Sequence, residues 1–195
     1  MDRRSFIVAA SLMLMWPPRT STAQSGPAED WQVFGKLAAI FTSILQATDP
    51  IADLITKARF VRLLQQMDGS INTILNTKRN ILSSIMAATC SDGNSLEAAL
   101  RATAGLTADL NTLAAQIETL SVCVKPPEAR KAAEDAGDEL YSLMTTRKIW
   151  IGRIPSYCGM DTNAKSELRS EIQTSIDIVA KSRDALGSLI DRLRE

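Results

Sequence analysis

The chain predicts an all-α protein: an up-down antiparallel helical bundle of four long helices plus a shorter N-terminal helix. Three observations carry this. From residue 30 onward apolar residues recur at spacings of three and four, and no stretch alternates as a half-buried strand does. Of 195 residues, 45% are hydrophobic but only 5% aromatic, with Ala and Leu prominent, a mixture that favours helices. The breaks, rich in Pro, Gly and Asp, are short, so successive helices turn back on one another. A three-helix coiled-coil core with a helical appendage is the second architecture.

The first helix is expected from Asp30 to Ala47, with Trp31, Phe34, Ala38, Phe41 and Leu45 on one stripe. Val33, Leu37, Ile40 and Ile44 widen that stripe into a broad arc, interrupted by no internal charge except Lys36. Burial against its own bundle is the leading reading, and docking on a partner or membrane surface the second. Thr48-Asp49-Pro50 reads as a stop and restart. Asp49 is expected to cap, and Pro50 to take the first helical position, where a missing N–H is harmless.

The second helix is expected from Pro50 to Thr89, with a helical apolar period running from Ile51 and Leu54 to Ile85 and Gly69 as its weak point. Cys90 to Ser95 is a turn, and Asn94 with Glu97 forms a capping box. Leu96, Ala99, Thr103, Leu106, Leu110, Leu113, Ile117, Leu120 and Val124 then alternate threes and fours without a break, a packing seam. Lys125-Pro126-Pro127 ends it. A fourth helix is expected from Pro127 to Ile154, and a fifth from Thr162 to Arg194 behind a capping Asp161. Asn72, Lys78, Arg79 and Arg183 fall at or beside core-facing positions, where they fix register or snorkel outward.

Three cysteines are present. In an up-down bundle Cys90 and Cys158 lie at one pole and Cys123 at the other, about 45 Å away, far beyond disulfide reach. The topology therefore predicts a Cys90–Cys158 disulfide, with Cys123 free or paired with another molecule.

The N-terminus carries an address. Arg3 and Arg4 precede an apolar run from Phe6 to Trp16, and Ser21-Thr22-Ala23 offers a small-residue cleavage site after Ala23. That run is too short to span a bilayer, which takes roughly 20 residues. The stretch Arg3-Arg4-Ser5-Phe6-Ile7 resembles a bacterial twin-arginine signal, departing from the pattern at Asp2 and Val8. The resemblance implies folded export; the general secretion route stays open. Residues 1–23 are thus expected to be a signal peptide, 24–29 a flexible start, and 30–195 one helical domain, periplasmic or secreted.

Composition narrows the chemistry. Cleavage would leave 19 basic and 21 acidic residues of the original 22 and 22, so bulk charge draws neither nucleic acid nor an anionic membrane. His is absent, which excludes His-ligated metals, His-ligated haem and His-based catalysis. No phosphate loop or CxxC occurs, and a Ser–Lys pair is unmarked but open. No cofactor, metal site or catalytic residue is expected. The carboxylates Glu134, Asp135, Asp138 and Glu139 read as a solvated acidic face. Trp150, Ile151, Tyr157, Trp31 and Phe34 are candidate interface residues, since aromatic side chains anchor contacts; core packing at a bundle end explains the stretch from Lys148 to Tyr157 equally well. The leading expectation is an interaction or scaffold protein, an accessory subunit of an envelope or secretion assembly, with a protein partner and homo-oligomers compatible. The alternative is a carrier or sensor holding an apolar ligand between its helices, and an enzyme comes third.

Overall fold

A computed structural model describes residues 30–91, 96–146 and 150–195. The export signal (Arg3, Arg4, Phe6, Ala23), the start at 24–29 and the Asn94 half of the capping box lie outside the described residues. Within them the chain is an all-α bundle without strands: α1 Asp30–Gln46, α2 Lys57–Ala87, α3 Glu97–Cys123, α4 Pro127–Thr146, a 3₁₀ helix Trp150–Gly159, and α5 Thr162–Arg194.

The five α-helices close a ring. α1 packs on α4 and α5, α5 also on α2, and α2 on α3, which returns to α4. The short first helix is therefore a full stave of the bundle. Its broad arc explains why: Val33, Phe34, Leu37, Ile40, Phe41 and Ile44 are each at most 2% exposed. That arc is wide enough to serve two neighbours at once, which a narrow stripe cannot do. Docking of this arc on a membrane or partner is thereby ruled out, because the chain itself covers it.

α2 starts seven residues later than expected, at Lys57 rather than Pro50. Here tertiary hydrogen bonds compete with the helix and win. The Pro50 carbonyl accepts from Lys125 N at 2.9 Å, and Ala52 N donates to the Cys123 carbonyl at 2.9 Å. Ile51 thus forms an antiparallel bridge to Val124, at the end of α3. Backbone groups engaged across that junction cannot also build a helical turn. Asp49, freed from capping, pairs with Lys125 at 2.5 Å. Thr56 becomes the cap, its Oγ1 accepting from Arg59 N at 3.4 Å. Leu54, off the helix, is 76% exposed instead of core-facing. Gly69 causes no break, since α2 runs through it.

The expected α3 seam is the bundle's inner edge. Every member is buried except half-buried Thr103. α2 and α3 run antiparallel, because the start of one is bridged to the end of the other. α2 and α5 are antiparallel as well: Asp68 meets Arg183 at 3.2 Å, while Lys78, farther along α2, meets Ser175, earlier in α5.

The fourth helix stops at Thr146 instead of continuing to Ile154. Pro155, which donates no N–H and disfavours α geometry at Ile154, accounts only for the loss of the last turn before it. The chain from Trp150 winds instead as a 3₁₀ helix, packed on α3 and α5. Arg153 pairs with Glu171 of α5, and Arg169 donates to the Tyr157 hydroxyl. Asp161 then caps α5, Oδ1 accepting from Ala164 N at 2.8 Å.

Candidate functional site

The burial pattern first removes most of the expected interface. Phe34, Trp150 and Tyr157 are 0%, 1% and 1% exposed, so none of them protrudes. Ile151 and Trp31 are half-buried against the core. The physical reason is that the bundle needs its aromatic rings inside. Phe34 and Trp150 flank the Lys78 ammonium, with ring centroids 5.1 and 5.8 Å from Nζ. Tyr157 lies under Lys165 and Arg169 of α5, at 5.5 and 5.6 Å.

Lys78 is fully buried and donates to the Ser175 hydroxyl, itself fully buried. A Ser–Lys pair therefore exists, but no substrate reaches it. It ties α2 to α5 between the rings of α1 and the 3₁₀ helix, the register role foreseen for a core-facing lysine. Arg79 is exposed, Asn72 half-buried, and Arg183 stays at the rim with Asp68.

Cys90 and Cys158 stand in a disulfide, Cα atoms 5.3 Å apart. Cys90 has φ 56°, a left-handed conformation that only this one non-glycine residue adopts among those described. The bond ties the end of α2 to the 3₁₀ helix. Cys123 is free and buried, and burial pushes its thiol pKa up. Pairing with another molecule is thus closed to it as the bundle stands.

The outer seam between α3 and α4 is open. A groove of about 500 Å³ runs there. Its floor is small: Ala114 and Ala115 from α3, Gly137 from α4. A Cβ on Gly137 would meet only Ile117 Cγ2, at an ordinary 3.6 Å. Two apolar side chains stand on the rim largely in solvent, Val122 at 54% and Tyr141 at 63% exposure. Carboxylates flank both sides, Glu118 on α3 and Glu134 with Asp138 on α4. The acidic run of α4 is thus divided. Glu139 turns the other way and pairs with Lys36 of α1, whereas Glu134 and Asp138 face the groove.

Sequence reasoning passed over Val122 and Tyr141 because it followed the stripes. Both sit beside a stripe residue, Tyr141 next to Leu140 and Val122 two before Val124. An apolar residue just off a stripe must point away from the core, and that was the available signal. The groove offers no reacting group of its own: its Ser121 is buried and donates to the Glu118 carbonyl at 2.8 Å. Two other grooves lie between α2 and α5, of about 580 and 550 Å³, and both mix cations with carboxylates. Among the described residues no three Asp, Glu, Cys or His side chains gather as a metal site, and no helix is long and apolar enough to cross a membrane. No family model, no curated protein and no solved structure matches this chain.

Proposed function

We propose that this chain is an exported interaction protein, a helical-bundle accessory subunit of a bacterial envelope or secretion assembly, acting in the periplasm or beyond. The observation that supports the reading is the α3–α4 groove, where Val122 and Tyr141 are held in solvent beside a floor of small residues. Apolar side chains of that size exposed along one groove suit contact with another protein. The Cys90–Cys158 pair fits an oxidising compartment, and the paired arginines before an apolar run fit an export route. A carrier for an apolar ligand ranks second, because the grooves at the α3–α4 and α2–α5 seams lie on the outside of the bundle.

The test is a photo-crosslinking residue placed at Tyr141 in the full chain, expressed in its own host, with the same residue at exposed Arg62 of α2 as control. A discrete protein adduct at position 141 and none at 62 is the expected result. Equal labelling at both, or none at 141, overturns the reading.

A further inference from the structure

The groove tells which kind of partner it suits. Its apolar floor lies between carboxylates on both banks, and no cation lines it. Among the described residues no ion pair engages Glu118, Glu134 or Asp138. Arg130, one turn before Glu134, donates instead to the Val124 carbonyl at 3.1 Å, so the three acidic groups around the groove stand without an ion-pair partner among the described residues. We propose that the groove receives an amphipathic helix of a protein partner, with basic residues on both flanks of its apolar stripe and two of them four residues apart. This rests on the interaction reading above and names its partner class.

Spacing supplies the details. The α3 bank runs from Asn111 to Val122, about 17 Å of helix at 1.5 Å per residue. Three turns of a partner helix fit that length, with anchors at i, i+4, i+7 and i+11. Glu134 and Asp138 lie four apart, so cations at i and i+4 on one flank meet both. Glu118, on the opposite bank, takes a third. A second copy of this chain is a poor occupant: exposed Arg59 and Arg62 lie at the start of α2, whereas the large apolar residue exposed on that helix, Met86, stands at its far end.

The probe is a labelled peptide of Leu, Ala and Lys in this pattern, titrated into the full chain and followed by fluorescence anisotropy. Two comparison peptides are a permutation of the same composition and a version with Glu for Lys. The patterned peptide should bind at least about tenfold tighter than either and weaken with added salt. The exposed double variant Glu134→Lys/Asp138→Lys, checked for an unchanged melting curve, should lower that affinity by about tenfold or more. Equal binding of the permuted or acidic peptide overturns the proposal, as does indifference to the charge reversals. A homodimer that Tyr141→Arg dissolves overturns it too, by giving the groove to a second copy. If position 141 still crosslinks to a protein while the peptide pattern fails, the partner class falls and the interaction reading stands. With neither adduct nor peptide binding, both fall.

Discussion

Lys78 and the Glu134–Asp138 pair are charges on helices of one bundle, yet they meet opposite surroundings. Lys78 is fully buried, with a serine hydroxyl and two aromatic faces of its own chain around the ammonium. Glu134 and Asp138 are exposed, stand one turn apart and form no ion pair among the described residues. A buried charge persists only where the fold supplies partners, since desolvation without compensation is prohibitive. An exposed carboxylate is already satisfied by water, so the fold asks nothing of it. The inner charge therefore concerns the fold, and the outer pair is free to concern another molecule.

Phe34→Ala, beside the ammonium, should lower stability by about 3–5 kcal/mol in urea titration, the usual loss for a fully buried Phe. A loss below about 1 kcal/mol would mean that α1 is a loose appendage rather than a stave. Next comes the disulfide. Cys90 and Cys158 are 68 residues apart, so replacing both by Ser should cost up to about 4 kcal/mol through restored chain entropy. The helical circular dichroism of the folded state should be unchanged.

The two charged sites can then be set directly against each other. Lys78→Ala opens a cavity and removes the buried hydrogen bond to Ser175, for an expected loss of about 2–4 kcal/mol. Glu134→Ala should shift stability by no more than about 0.5 kcal/mol in either direction. Similar losses at both would erase the distinction. The smallest effect is expected at Asp109, a half-buried residue of α3, where desolvation raises the carboxyl pKa. The folded state then holds its proton more tightly than the unfolded chain does. Its share of stability is highest below the unfolded value near 3.9 and declines as pH rises through the raised folded value. Asp109→Asn should accordingly raise the melting temperature slightly at neutral pH, and the gain should vanish in acid.

Legibility followed the range of the interaction that decided each feature. The α3 seam was readable residue by residue, because a helix in contact on one side buries a strict period. The Asp161 cap was readable for the same reason: its partner Ala164 is three residues away. The start of α2 was not, since the groups that hold Pro50 and Ala52 belong to the far end of α3. Trp150 and Tyr157 were left open between core and interface because aromatic density marks both alike, and only the position of Lys78 and α5 separates them. In the groove, the acidic residues were visible as a run on α4, but their division between α1 and α3 was not.

By itself, then, the sequence determined the helices, the inward face of each and the cysteines that share a pole. These depend on spacing along one chain segment and on alternation between segments. The tertiary structure decided that α1 stands between α4 and α5, and that the outer α3–α4 seam stays open. Periodicity says which residues of a helix turn inward. Which helix they meet depends on side-chain volumes matched across distant segments, and no single segment carries that information.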